Sequence, residues 1–417
     1  MNWGDVPVMW GGRARLRWLT PQWLAPMMML SGCGQTVEGA AIGAVTRVDP
    51  ATLETGPYPV EPTAFDPDIQ HPYQVYAIEA RRMLGYLVPP FEFDAELTHL
   101  DDVELIDSSS DGLFGDGLNA VYPAEFQDVM QRHHLIAGVL TIRSNDSVRA
   151  LKLANHALLR FPSDEAARAA AADLDATLHG LNPDLRGLPV PGHEGVEYRT
   201  GNGSKGYLVV ARGPFVVLTM LNRHEPDEEA ILAVASDLLD LQFERLASAT
   251  VTPIDEILDL PLDPDGIMRR TLPAMKGEWL YGESFVGALS PQAQLHFELD
   301  GAAAREAFED AGVDLVARNY ATVYRAGDEQ AALRLHTVLA GPARDDEEID
   351  PPPGLDDARC RVLAQEDPVS EYGSVCVLAY GRYVAVVGST QPSSLGLDPG
   401  LYQRAAAQYA ILARSEA

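Results

Sequence analysis

The sequence contains one order of segments twice, and that duplication limits the chain to a pair of related domains. Arg143-Ser-Asn-Asp146 followed by Ala150, Leu151, Lys152 and Leu153 lines up with Arg325-Ala-Gly-Asp328 followed by Ala332, Leu333, Arg334 and Leu335. In each copy alternating residues precede the Arg, as in a half-buried strand. The Asp stands where a carboxylate can cap the free N–H groups of a helix start, so the reading is strand into helix. Downstream, Val196-Glu-Tyr-Arg199 and residues 207–220 match Ala358-Arg-Cys-Arg361 and residues 375–388 as β-rich runs. Gly213 and Gly381 break the two long runs at matching places, which predicts a turn and one more strand. A helix then closes each half, over residues 227–246 and 399–413.

The shared order is β-α-β-β-β-α. The first half also carries an inserted helix over 163–179, with Ser163 as N-cap, Asp164 and Glu165 in its first turn and Gly180 after its end. Ala166, Ala170, Leu174 and Leu178 share one stripe of that helix, which predicts packing on the sheet. The expected fold is therefore α+β: two related domains, each a mainly antiparallel sheet packed with helices. Pro253, Pro261 and Pro264 interrupt the pattern between the copies. The expected divisions are an N-terminal domain over 73–251, a linker over 252–266 and a C-terminal domain over 267–417.

Two of the three cysteines fall in the second copy. The midpoint of Cys360 and Cys376 is Pro368, inside the expected turn 365–373, so a regular hairpin places the two sulfurs opposite each other. Cys360 aligns with Tyr198 and Cys376 with Leu208, whose midpoint Gly203 also sits in a turn. A structural disulfide is expected, because no C-x-x-C motif lowers either thiol pKa.

The third, Cys33, belongs to the N-terminus. Arg13, Arg15 and Arg17 precede an apolar run over 18–30 and then Leu30-Ser31-Gly32-Cys33, which has the form of a bacterial lipobox. The run carries Pro21, Gln22 and Pro26 and is shorter than the ~20 apolar residues a span needs. The expectation is a signal peptide over 1–32, lipidation of Cys33, and a tether over 33–72 rich in Gly, Pro, Thr and Asp. The protein would then be lipid-anchored to the cell membrane and face the extracytoplasmic side.

Charge narrows the partners. The chain carries a net −30, and removing residues 1–32, with three Arg and one Asp, takes it to −32. Such a surface repels nucleic acid, so no nucleic-acid partner is expected. Basic residues are almost all Arg, with only Lys152, Lys205 and Lys276 as lysines, the bias of a GC-rich genome.

Several motifs resemble sites and fail on context. Gly201-Asn-Gly203-Ser-Lys-Gly206 fits G-x-G-x-x-G, but β-like sequence lies on both sides, so the glycines make a hairpin turn rather than a phosphate loop. Adjacent His133 and His134 diverge on any regular backbone and lack chelating spacing. Asp263-Pro-Asp265-Gly266 lacks calcium-loop ligands at Pro261 and Leu272 and reads as a linker turn. Residues 345–350, Asp-Asp-Glu-Glu-Ile-Asp, read as a solvated loop. Ser284 lacks the second glycine of a nucleophile elbow. The aromatic stretch 73–93 reads as a helix ended by Pro89-Pro90. No catalytic residue, cofactor site or metal ligand is assigned.

Residues 48–58, Val-Asp-Pro-Ala-Thr-Leu-Glu-Thr-Gly-Pro-Tyr, following a lipobox cysteine, resemble the opening of large two-domain envelope lipoproteins of mycobacteria, nocardiae and their actinobacterial relatives. The resemblance covers most of the chain beyond Cys33 and implies two domains, an envelope location and no catalytic residues to carry over. The expected function is non-enzymatic binding of a small ligand, a lipid, a wall component or a protein partner. The alternatives are a wall- or lipid-active hydrolase and a structural accessory of an envelope complex.

Overall fold

The computed structural model describes residues 46–67, 69, 72–106, 113–114, 121–274, 285–391 and 398–416. The first half runs α1 (Pro72–Leu84), α2 (Pro90–Phe93), β1 (His99–Ile106), α3 (Glu125–Arg132), β2 (Ala137–Ser144), β3 (Lys152–Arg160), α4 (Asp164–Leu181), β4 (Arg186–Pro189), β5 (Glu197–Thr200), β6 (Lys205–Arg212), β7 (Phe215–Arg223) and α5 (Glu228–Ala247). The second runs β8 (Gly287–Leu289), α6 (Pro291–Gln294), α7 (Gly301–Ala311), β9 (Leu315–Arg318), β10 (Ala321–Arg325), α8 (Glu329–Leu339), β11 (Glu347–Ile349), β12 (Arg359–Val362), β13 (Ser374–Tyr380), β14 (Tyr383–Ser389) and α9 (Pro399–Ser415).

Two seven-stranded sheets result, ordered β1-β2-β3-β7-β6-β5-β4 and, read from the opposite edge, β8-β9-β10-β14-β13-β12-β11. Every strand of one has a counterpart at the same place in the other, and adjacent strands are antiparallel throughout. The fold is α+β and duplicated. The full common order is β-α-β-β-α-β-β-β-β-α, which adds β-α-β ahead of the shorter order read from the sequence and one strand, β4 or β11, after its first helix.

The repeat is real, but its first anchor is displaced. Residues 150–153 do not start a helix: Lys152 and Leu153 open β3, paired with Arg223 and Asn222 of β7. The counterpart of Arg325-Ala-Gly-Asp328 is Arg160-Phe-Pro-Ser163, since Ser163 Oγ accepts from Ala166 N at 3.2 Å as Asp328 Oδ1 accepts from Ala331 N at 2.7 Å. The helix over 163–179 is thus no insertion; α4 is the partner of α8, continuing through Gly180 to Leu181. The cause lies in β3, a central strand whose residues from Ala154 to Arg160 are all buried, so it lacks the alternation that marks a half-exposed strand.

The hairpins fall where expected. Tyr198 faces Leu208 and Cys360 faces Cys376, and the two cysteines are joined. Gly213 and Gly381 occupy left-handed turns between Arg212 and Phe215 and between Tyr380 and Tyr383, a conformation that glycine adopts without strain. In the aromatic stretch the helix ends earlier than expected, at Leu84, and Pro90 starts α2 instead of ending α1. Residues 347–349 form edge strand β11, and Asp346, nearly buried, ion-pairs with Arg361, so this acidic run is not a free loop.

Residues 46–65, expected within a tether, lie on the second domain. Leu53 is buried in one core with Leu401, Ala405 and Leu412 of α9, and Val48, Tyr58, Val60 and Phe65 pack against it. Polar bonds hold the same strap: Val48 N donates to Tyr409 OH at 2.9 Å, and Arg404 Nη1 to Tyr58 OH at 2.9 Å. The chain then crosses to α1 in the first domain.

Among the described residues three apolar clusters organise the interior. One lies under α3 and α4. Another lies under α9. The largest is shared, joining α1, α2 and α5 of the first domain to α7 and α8 of the second. Since α5 corresponds to α9, and α7 and α8 to α3 and α4, the two copies meet through non-equivalent faces.

Candidate functional site

Among the described residues the largest fully buried side chain is that of Arg143, at the end of β2, which closes the junction between the domains. Its guanidinium donates to Thr98 O at 2.9 Å in its own domain and to Glu298 O at 2.6 Å in the other, with Leu295 O and His296 O at 3.3 Å. Phe91 lies 5.2 Å from it on one side. Carbonyl oxygens take its hydrogen bonds; burial lowers its pKa to about 10, against the opposing charges of Glu298, Asp101 and Asp300.

Two buried imidazoles complete the junction. His296 Nε2 donates to Leu84 O and Leu87 O at 3.1 and 3.2 Å, fixing the turn after α1 against the second domain. His156 meets Thr219 Oγ1 at 2.8 Å and Gln242 Oε1 at 3.0 Å, while Gln242 also binds Val88 N and Tyr86 O. Burial pushes both rings down, to about 3 for His296 and about 4 for His156, with the Arg143 and Arg245 charges adding in the same direction. These imidazoles are neutral, and three of their four ring nitrogens hold structural bonds, while His296 Nδ1 is buried without a hydrogen-bond partner among the described residues. Buried Glu79 likewise holds Arg82 and Arg160, with its pKa raised by burial against both cations.

Two concave sites stand out among the described residues. The first is a groove of about 480 Å³ on the second domain. Its walls come from the end of α8 (His336, Thr337), from Asp357, from β13 (Leu378), from Tyr409 of α9, and from Thr46 at the start of the strap. Thr46 N donates to Asp357 Oδ2 at 2.7 Å, so the strap itself closes one wall. His336 donates through Nε2 to Val377 O at 3.2 Å, and burial lowers its pKa. Apolar floor and polar rim together suit an amphipathic small molecule.

The second is a cleft of about 740 Å³ between the domains. Arg81 and Arg82 of α1, Tyr86 in the turn after it, and Glu244 and Arg245 of α5 face Ser290 and Gln292 beside β8 across it.

Of the positions singled out in the sequence, Cys33, the segment 1–32 and Ser284 lie outside the described residues. Cys360 and Cys376 form the disulfide. Gly201 to Gly206 turn the β5–β6 hairpin, Gly203 with φ +77°. His133 binds Asp173 at 2.8 Å on α4, while His134 ends the turn after α3. Asp263 accepts from Met268 N, and Asp265 pairs with Arg325. None of these described positions lines either concavity, whereas Glu348 of the acidic run lines the groove and Tyr86 of the aromatic stretch lines the cleft. Among the described residues no group of three or more His, Cys, Asp or Glu is placed to hold a metal ion, and no helix is long and apolar enough to cross a membrane. Sequence reasoning missed Arg143, His156 and His296 as junction residues; the available signal was a polar side chain inside an otherwise apolar run, as in the Ala154 to Leu159 stretch around His156.

Two family models match. Residues 66–262 match the "Domain of unknown function (DUF7373) N-terminal" and residues 267–415 the "Domain of unknown function (DUF7373) C-terminal". No curated protein matches. Among solved structures, the extracellular domain of PknH from Mycobacterium tuberculosis aligns at 12% identity, over 37% of this chain and 92% of that one, with a TM-score of 0.25. A score that low carries no argument about fold or function.

Proposed function

We propose that this chain, a member of the DUF7373 family with both of its domains in order, is a lipid-anchored envelope protein that binds a small amphipathic ligand without transforming it. The observation that carries the reading is the second-domain groove, whose size falls within the range of small-molecule sites and whose wall is partly the strap. Thr46 follows Cys33 by thirteen residues, so the proposed anchor and the groove wall belong to the same end of the chain. The disulfide supports an oxidising compartment. The buried histidines support binding over catalysis, since neither ring lines the groove or the cleft and three of their four nitrogens are committed to Gln242, Thr219 and backbone carbonyls.

The test is purification of the protein from its native membrane, followed by mass spectrometry of bound small molecules. Wild type is expected to carry a ligand that Thr337→Trp, which fills the groove from the exposed side of α8, loses. An equal yield from both, or none from wild type, refutes the groove. Cys33→Ala is expected to leave the membrane fraction; if it stays, and wild type has no acyl mass, the anchor is refuted.

A further inference from the structure

We infer that the cleft between the domains binds an uncharged polyhydroxylated ligand, a short oligosaccharide. Its cations are already engaged. Arg82 Nη1 donates to Glu79 Oε2 at 3.0 Å, Arg245 Nη2 to Glu92 Oε2 at 2.8 Å, and Arg81 has an interaction of its own. A cleft lined by such compensated groups exerts little pull on an anion; what it offers is hydrogen-bonding capacity.

That capacity includes donors and acceptors, and both domains supply it. Arg245 spends two of its five N–H donors on Leu87 O and Glu92, which orient the guanidinium and leave donors over. Its neighbour Glu244 is exposed and makes no hydrogen bond or ion pair among the described residues, so its oxygens stand as acceptors. Across the cleft Gln292, exposed and equally unbonded among the described residues, brings an amide that both donates and accepts. Ser290 Oγ accepts from Ala293 N at 3.2 Å and keeps its proton to give. A sugar hydroxyl likewise donates and accepts, so adjacent carboxylate, guanidinium and amide groups match vicinal hydroxyls, one giving a proton while the next receives one.

The remaining wall suits the other surface of such a ligand. A pyranose ring carries apolar C–H faces between its hydroxyl edges, and Tyr86, Leu241, Ala288 and Leu289 set apolar surface beside the polar groups. Two glycines bring the walls together: a Cβ on Gly85 would come within 2.9 Å of Ser290 Oγ, and one on Gly287 within 2.6 Å of Arg81 Nε. The volume of about 740 Å³ falls within the range of small-molecule sites, which favour domain junctions. The cleft shares no lining residue with the second-domain groove, so either site can fail without the other.

Fluorescently labelled full chain, applied to an array of immobilised oligosaccharides that are neutral, uronic-acid-bearing or amine-bearing, tests the ligand class. The neutral glycan held best is then titrated calorimetrically. An uncharged ligand has no charge to screen, so its affinity should change by less than about twofold between low and high salt. Glu244→Ala should weaken binding by about tenfold or more, because hydrogen bonds to a charged acceptor are the stronger kind, and Gln292→Ala by about threefold to tenfold. Ser248→Trp, from an exposed position on the cleft wall, should abolish binding. All three side chains are exposed, so the melting temperature should stay that of wild type. Retention of neutral glycans with losses in this order supports the inference. Retention of none, preference for the acidic or amine-bearing glycans, an affinity that falls with salt, or affinities that ignore all three substitutions overturns it.

Discussion

Replacing Arg143 by Met should loosen the two domains from each other more than it damages either. The side chain is fully buried, and two of its bonds are short: Thr98 O at 2.9 Å and Glu298 O at 2.6 Å. A hydrogen bond to a charged donor contributes about 1.5–3 kcal/mol, so losing two removes about 3–6 kcal/mol. Part is recovered, since the Arg143 Nε proton has no partner and leaving such a donor buried costs about 1 kcal/mol or more. Met fills similar space without a charge to desolvate, so the net loss should be about 2–5 kcal/mol, large beside the ~5–15 kcal/mol of a typical domain. Urea denaturation followed by hydrogen exchange is the assay. The variant should unfold at lower urea, with β2 and residues 295–298 losing protection before the β5–β6 hairpin or α9. A variant within about 0.5 kcal/mol of wild type, the range of ordinary surface substitutions, would refute the view that this guanidinium joins the domains.

Three further outcomes follow from the same geometry. His156 and His296 have folded pKa values near 4 and 3, below the ordinary 6.5, so the unfolded chain takes up protons that the folded chain refuses. Stability from each is complete above about pH 6.5 and falls by about 1.4 kcal/mol per unit as the pH drops towards 4; in His156→Gln that share is absent, so the stability gap to wild type should narrow on acidification, and parallel urea midpoints at pH 6.5, 5.5 and 4.5 would contradict it. The Cys360–Cys376 bond closes a span of 16 residues and is worth about 3 kcal/mol, so Cys360→Ala/Cys376→Ala should melt lower, while the buried bond in wild type should resist dithiothreitol until the protein unfolds, as intact mass will register. Leu53→Asp should free the strap from α9, read as cleavage of residues 46–65 by trace protease with the second sheet still intact; a strap that stays protected would show that Leu53 does not hold it.

What could be read locally was read correctly. Ser163 caps its helix, Gly203, Gly213 and Gly381 turn their hairpins, and Cys360 faces Cys376, because caps and turns depend on a few neighbouring residues. The repeat was detected at the wrong anchor because an Arg followed three residues later by a capping side chain occurs at Arg143, Arg160 and Arg325, and the buried strand β3 gives no alternation to choose between them. The strap was invisible for another reason. Leu53, Tyr58, Val60 and Phe65 dock one by one on α9 and need no period of their own, so their spacing looks like that of a loop.

The sequence by itself determined the duplicated α+β order, the hairpin registers and the position of the disulfide, since these are set by short-range hydrogen bonding and by the turn residues between paired strands. Tertiary structure alone decided that the copies meet through unlike faces, that Arg143 and His296 join them, and that α1 and α5 bring three arginines to one cleft beside β8. Those contacts link residues more than 150 positions apart, and what selects them is the burial of whole faces and the pairing of polar groups trapped between them, which no local pattern records.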